Sequence, residues 1–183
     1  LIARRLGTLL GMKEAEESFS AALLQDMAIP LLAKEAPDLY LKLVKAREDG
    51  KFRLSYLEEE LFGWSHADAA GLMARGWNLP EEFARLLEAH AKIDQWIVEP
   101  QVDPARLAVS MSALLPAVSD SQWWHAAQFE DYYQRLRPAG GPALVDVLAQ
   151  TDEEFAEFAP ILKISTPTTS LVVSYQETLT PAQ

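Results

Sequence analysis

The chain of 183 residues has no cysteine, only three histidines and relatively few basic side chains. The absence of cysteine excludes disulfides, thiol catalysis and cysteine-based zinc sites. Lysine and arginine number 16 against 27 aspartates and glutamates, which gives a net charge of −11. Because binding to phosphates requires a basic surface, this charge argues against a nucleic-acid partner and against an anionic membrane face.

Long apolar runs are also missing. No stretch approaches the roughly 20 apolar residues of a membrane span, and the opening LIARRLGTLLGMKEAEE is too charged for a signal peptide. We therefore expect a cytoplasmic protein. The sequence begins at Leu1 with the pattern of a helix interior, so we also expect it to be a fragment of a longer protein.

Apolar residues recur at helical spacing along most of the chain, which predicts an all-α fold. We expect a helical bundle with additional C-terminal helices and an irregular tail. Helix boundaries are predicted from proline, glycine and capping residues. These are a break at Pro30, helix ends at Gly50 and Gly63, helix starts at Ser65 and Pro80, and capping boxes at Ser55–Glu58 and Thr151–Glu154.

The composition divides the chain into three parts. We predict a helical domain over residues 1–98, a helical extension over 99–164 and an irregular tail or linker over 165–183. The β-branched run in the tail leaves open whether it pairs as a strand or links to another domain.

Three sequence pieces carry a recognisable pattern. They are EESFSAALLQDMAIPLL, LEEELFGWSHADAAGLMARGWNLPEEF and LLEAHAKID. Their order and spacing resemble the HDOD family, the output-domain relatives of HD-type metal phosphohydrolases. The matching positions are Phe19, Leu23, Leu24, Asp26, Glu58, Phe62, Gly63, His66, Gly71, Trp77, Leu79, Pro80 and His90.

The resemblance covers about residues 1–115 and implies an all-α bundle of HD-like type, of which the chain holds the C-terminal part. Domains of this family are used in bacterial signal transduction and are generally treated as non-catalytic. The residues support the absence of catalysis. The His-Asp pair of the catalytic relatives is Gln25-Asp26 here, and an amide is a poor ligand for a catalytic metal. The paired histidines are reduced to Ala89-His90-Ala91, and no Gly-Tyr-Pro signature follows.

We therefore expect no metal and no cofactor, with Asp26, His66 and His90 as the candidates if a single metal site exists, and Asp94 as a further ligand for it. Two histidines and a carboxylate can form a ligand set. The other interpretation is structural. It makes His66 a residue that caps or packs at a helix start and His90 a satisfied buried histidine. Asp26 would then be a carboxylate that needs a partner such as His66.

An aromatic cluster marks the extension. Its members are Trp123, Trp124, Phe129, Tyr132 and Tyr133. Core packing and a partner-binding surface both explain it, since Trp and Tyr anchor interfaces as well as cores.

These observations together favour a non-catalytic signal-transduction module that acts by protein–protein contact within a larger regulator. The partners would be other signalling proteins or domains of the same chain, and a second copy of the chain is a further candidate. The alternatives are a degenerate HD-type phosphohydrolase and a module that binds a cyclic dinucleotide without hydrolysis.

Overall fold

The computed structural model describes residues 1–164 and 169–179, and over these ranges the chain is helical without a strand. The predicted all-α fold is confirmed. Within the same ranges no helix is both long and apolar enough to cross a membrane. The helices are, in chain order, α1 (Ile2–Leu9), α2 (Glu16–Leu24), α3 (Ala28–Glu35), α4 (Pro37–Ala46), α5 (Leu54–Phe62), α6 (His66–Gly76), α7 (Glu81–Ala89), α8 (Ile93–Trp96), α9 (Pro104–Ser112), α10 (Ala126–Leu136), α11 (Leu144–Leu162) and α12 (Leu171–Leu179).

Small side chains form the centre of the first half of the chain. Ala70 and Ala74 of α6 pack with Ala84 and Leu87 of α7 in one buried cluster. Gly71 belongs to the same contact, because a Cβ there would lie 2.3 Å from Cγ of Glu88. Alanine and glycine let the two helices approach closely, and this packing fixes the positions of the residues at their ends.

Several predicted helix boundaries are present in the structure. Gly63 ends α5 in the left-handed conformation with φ of 75°, which glycine adopts without steric cost. Ser65 and Asp68 form a reciprocal capping box at the start of α6. Near Pro30 the helix breaks earlier than predicted, at residues 25–27, and the proline lies in the first turn of α3, where its missing N–H costs no helical hydrogen bond.

Both other predicted capping boxes are wrong. Arg53, not Ser55, is the N-cap of α5, and Glu58 is turned into the protein interior. Thr151 lies inside the continuous helix α11 and donates its hydroxyl hydrogen bond to the carbonyl of Val147. Glu58 is thus taken by tertiary partners, Tyr40 and His66, whereas the Thr151 hydroxyl bonds within its own helix.

A second core joins the first part of the chain to the extension. Ile2, Leu6 and Ile93 are buried in the same cluster as Leu107 of α9 and Leu148 of α11. One continuous core therefore crosses the predicted division between residues 98 and 99. The division into domains stays a prediction from the sequence.

Most of the aromatic cluster belongs to this second core. Trp123, Phe129 and Tyr133 are at most 1% exposed, and the Trp123 indole N–H donates to the carbonyl of Leu114 at 2.7 Å. Full burial removes these three from the predicted interaction surface, in line with the packing alternative. Only Trp124 and Tyr132 of the five keep exposed surface.

The prediction of an irregular tail is wrong for residues 171–179, which form α12. Both carboxylate oxygens of Asp152 on α11 accept backbone N–H groups at the start of this helix, from Leu171 at 2.9 Å and Val172 at 3.0 Å. Tyr175 is buried against the second core. A cap and a core contact from distant residues thus fix a helix that the local sequence did not indicate. The rest of the predicted tail, residues 165–168 and 180–183, lies outside the described residues.

A polar contact fastens the turn between α4 and α5 to the extension. The guanidinium of Arg47 donates to Asp120 at 3.0 Å, and the Asp49 carboxylate accepts the backbone N–H of Ser121 at 3.0 Å. Gly50 has a φ of 92° in this turn. Its missing Cβ leaves room for the carboxylate of Asp120, which a side chain there would meet at 2.5 Å.

Candidate functional site

Two histidines and an aspartate from three separate parts of the chain meet on one side of the helical core. Asp26 lies in the turn between α2 and α3, His66 is the first residue of α6, and His90 directly follows α7. Each offers one ligand atom, and these atoms all lie within 4.8 Å of one another. The structure thus brings together the three residues that the sequence indicated.

The atoms that face each other are the Nε2 atoms of both rings and one carboxylate oxygen. Nε2 of His66 lies 3.1 Å from Nε2 of His90 and 3.3 Å from Oδ1 of Asp26. Nε2 of His90 lies 3.8 Å from the same oxygen. The two imidazole side chains are at most 6% exposed, whereas the Asp26 side chain is 59% exposed. The cluster is therefore buried on the histidine side and open on the aspartate side.

Glu58 binds His66 on the Nδ1 side of the ring, away from the Nε2 atom that faces Asp26. Its Oε2 atom accepts hydrogen bonds from the His66 backbone N–H at 2.7 Å and from the ring Nδ1–H at 2.6 Å. The Tyr40 hydroxyl donates to its other oxygen. The Glu58 side chain is completely buried, so these donors replace the water that an ionised carboxylate would otherwise require. Burial and the hydrogen bond to Glu58 raise the pKa of Tyr40.

His90 is oriented by a backbone carbonyl. Its Nδ1–H donates to the carbonyl of Leu87 at 2.6 Å, one turn earlier in the chain. A carbonyl can only accept, so a neutral His90 must carry its proton on Nδ1 and a lone pair on Nε2. That lone pair points at His66.

The two histidines have opposite affinities for a proton. Burial lowers the pKa of His66, but hydrogen bonds to Asp26 and Glu58 outweigh this and raise it to about 9. Burial and then the positive charge of His66 lower the pKa of His90 to about 4. For Asp26, partial desolvation opposes ionisation, and the hydrogen bond from His66 more than offsets it, so the pKa lies below its ordinary value. In the metal-free protein near neutral pH, His66 is charged and His90 is neutral.

Gln25, at the position of the histidine in the catalytic relatives, is already engaged. Its side-chain oxygen accepts a hydrogen bond from the Ser112 hydroxyl at 3.3 Å, and its side chain hydrogen-bonds to Asp26. The contact with Gln25 is the smallest of the causes that lower the pKa of Asp26.

Asp94, the fourth predicted ligand, lies elsewhere. Its carboxylate accepts from the Tyr132 hydroxyl at 2.6 Å and lies 3.5 Å from the Arg53 guanidinium. The contact of Glu58 with His66 was not predicted, because the spacing of Glu58 from Ser55 indicates a helix cap. The signal that could have found it is the place of Glu58 eight residues before His66 within the family pattern.

Fold and site together define a class: a helical domain of HD-like type that keeps part of a histidine–aspartate cluster. The family model of the HDOD domain matches residues 1–93, and the chain belongs to this family. Among curated proteins and among solved structures no match was found.

Proposed function

We propose that the chain is a non-catalytic signal-transduction module, which acts by protein–protein contact within a larger multidomain bacterial regulator. Large apolar side chains exposed on the family-matching part carry this proposal. On α4, Tyr40 and Leu43 are buried, yet Leu41 is 54% and Val44 is 49% exposed. A helix with one buried stripe in a globular protein ordinarily presents polar residues on its other side.

Neighbouring helices share this property. Leu31 on α3 is 44% exposed and Leu72 on α6 is 68% exposed, and α3 contacts both α4 and α6. Exposed apolar surface of this kind is typical of a contact with another protein. The net charge of −11 favours such a partner over nucleic acid or an anionic membrane.

Hydrogen–deuterium exchange tests the contact. Backbone amides of α4 should exchange more slowly in the complete gene product than in this chain alone, because neighbouring domains cover Leu41 and Val44. The double variant Leu41→Lys/Val44→Lys should abolish the difference. Val98→Lys is the matched control, since Val98 is 71% exposed but lies outside these helices. Equal exchange in both proteins, together with a monomeric chain, would contradict the proposal.

A second candidate function is favoured by the meeting of Asp26, His66 and His90. It is an altered HD-type phosphohydrolase, or a module that binds a cyclic dinucleotide without hydrolysis. Incubation with Mn²⁺ and cyclic dinucleotides separates these candidates. We expect no turnover above buffer. Turnover lost in Asp26→Asn would establish the hydrolase instead, and a large thermal shift without turnover would establish the binding module.

A further inference from the structure

We propose that Asp26, His66 and His90 bind one divalent transition-metal ion of the Zn²⁺ or Fe²⁺ kind. The ligand atoms are Nε2 of each histidine and one carboxylate oxygen of Asp26. This goes beyond a role in protein contact and replaces the expectation from sequence that the chain holds no metal. It does not require catalysis.

The spacing of the ligand atoms fits one ion. Nitrogen and oxygen ligands lie about 2.0–2.2 Å from Zn²⁺, so two ligands of a tetrahedral ion are about 3.4 Å apart. The observed separations are 3.1 Å between the two Nε2 atoms and 3.3 Å and 3.8 Å from these atoms to Oδ1 of Asp26. The longest of these involves Asp26, whose exposed side chain can turn toward the ion without displacing the core.

Both rings are already oriented for a ligand role. A histidine that binds a metal through one nitrogen usually donates its other N–H to a carboxylate or a backbone carbonyl. His66 donates Nδ1–H to Glu58 and His90 donates Nδ1–H to Leu87. Two different acceptors on two helices thus direct both Nε2 atoms at the same carboxylate. Packing alone would not require this shared direction.

A metal ion could enter the cluster from solvent and would keep coordination positions that no protein atom fills. Asp26 is 59% exposed, while both histidines are almost completely buried. Three protein ligands with one solvent-facing side leave space for water on the ion. Among the described residues no other group of three histidine, aspartate or glutamate side chains comes together in this way, and the sequence has no cysteine to compete.

The ligand chemistry selects the class of metal. Imidazole nitrogen suits Zn²⁺, Fe²⁺ and Ni²⁺, whereas Mg²⁺ and Ca²⁺ prefer sites made of oxygen alone. We therefore expect Mg²⁺ not to compete. A bound ion would also connect the α2–α3 turn to the start of α6 and the end of α7, and so stabilise the fold.

Titration with Co²⁺, a spectroscopic substitute for Zn²⁺, tests the proposal on the full chain freed of metal by a chelator. We expect visible absorption bands that saturate at one Co²⁺ per chain, disappear on addition of Zn²⁺ and persist in excess Mg²⁺. Asp26→Asn and His90→Gln should each weaken binding at least tenfold. Glu58→Gln, which alters only the group behind His66, should weaken it about 10–100-fold.

His125→Gln is the matched control, because it removes the third histidine and leaves the cluster intact. It should bind Co²⁺ as the unchanged chain does. Circular dichroism checks that each variant is folded. If a variant of a buried histidine unfolds, Asp26→Asn still tests metal binding, because Asp26 lies at the surface. Absence of saturable binding would overturn the proposal. So would binding that Asp26→Asn leaves unchanged, or binding that His125→Gln removes.

Discussion

The Nδ1 atom of His66 lies 2.6 Å from Oε2 of Glu58, a carboxylate with no exposed surface. The same oxygen accepts the backbone N–H of His66. One buried side chain therefore fixes both the ring of His66 and the start of α6. This pair connects the stability of the helical core to the geometry of the cluster that faces Asp26.

Loss of the Glu58 carboxylate should destabilise the protein strongly. Glu58→Ala leaves two His66 donors and the Tyr40 hydroxyl without their acceptor in a buried site. Removing one partner of a buried charged pair typically costs about 3–5 kcal/mol. Urea denaturation measures this cost. Glu60→Ala on the exposed side of the same helix should change the free energy of unfolding by less than about 0.5 kcal/mol. Equal effects of the two changes would contradict the role given to Glu58.

Stability should depend on pH with a maximum near 6.5 in the metal-free protein. His66 binds its proton more tightly when folded, with a pKa of about 9. The contribution of His66 to stability is complete below the ordinary histidine pKa of about 6.5 and is lost as pH rises through 9. His90, with a folded pKa of about 4, resists protonation, so stability falls as pH drops from about 6.5 toward 4. Each group contributes a slope of at most about 1.4 kcal/mol per pH unit.

Urea midpoints between pH 5 and 9 in the presence of a chelator measure this profile. His66→Gln should flatten its alkaline side, and His90→Gln its acid side. His125→Gln serves as the control for histidine content. A profile that neither of the first two variants alters would show that other groups set the pH dependence.

Gly50→Ala should destabilise the junction between the α4–α5 turn and the extension. An alanine at a φ of 92° is strained by about 1–2 kcal/mol, and its Cβ would displace the Asp120 carboxylate that binds Arg47. Gly140→Ala provides the matched comparison. Gly140 also has a positive φ, of 75°, but a Cβ there would meet nothing within 4 Å. Thermal unfolding should show the larger loss for Gly50→Ala, and equal losses would mean that backbone strain alone acts.

Substitution of the neighbouring residues Trp123 and Trp124 should lower the free energy of unfolding by very different amounts. Trp123 is 1% exposed and Trp124 is 43% exposed. Trp123→Ala opens a cavity in the second core and should cost about 3–5 kcal/mol. Trp124→Ala removes mainly a hydrogen bond from its indole N–H to the carbonyl of Asp49 and should cost about 1 kcal/mol. Denaturant unfolding of the two variants measures both values. A larger loss for Trp124→Ala would be inconsistent with the buried position of Trp123.

The candidate site was partly predictable from the sequence. Asp26, His66 and His90 were predicted because they occupy matching positions of the family pattern that the sequence resembles. Their separation by up to 64 positions in the chain gave no distance between them, since that distance depends on how α2, α6 and α7 pack. For Glu58 the local sequence pattern predicted the wrong partner. The spacing of Glu58 from Ser55 indicates a local cap, but a buried histidine is the better partner for its carboxylate.

The sequence by itself determined the all-α class, the left-handed end of α5 at Gly63 and the cap of α6 at Ser65. These features depend on interactions among residues a few positions apart, which a local pattern contains. The tertiary structure alone decided the burial of Trp123, the helix that Asp152 caps at residues 171–179, and the meeting of both Nε2 atoms with Asp26. Those outcomes depend on contacts between distant segments, where burial and hydrogen bonding outweigh local preference.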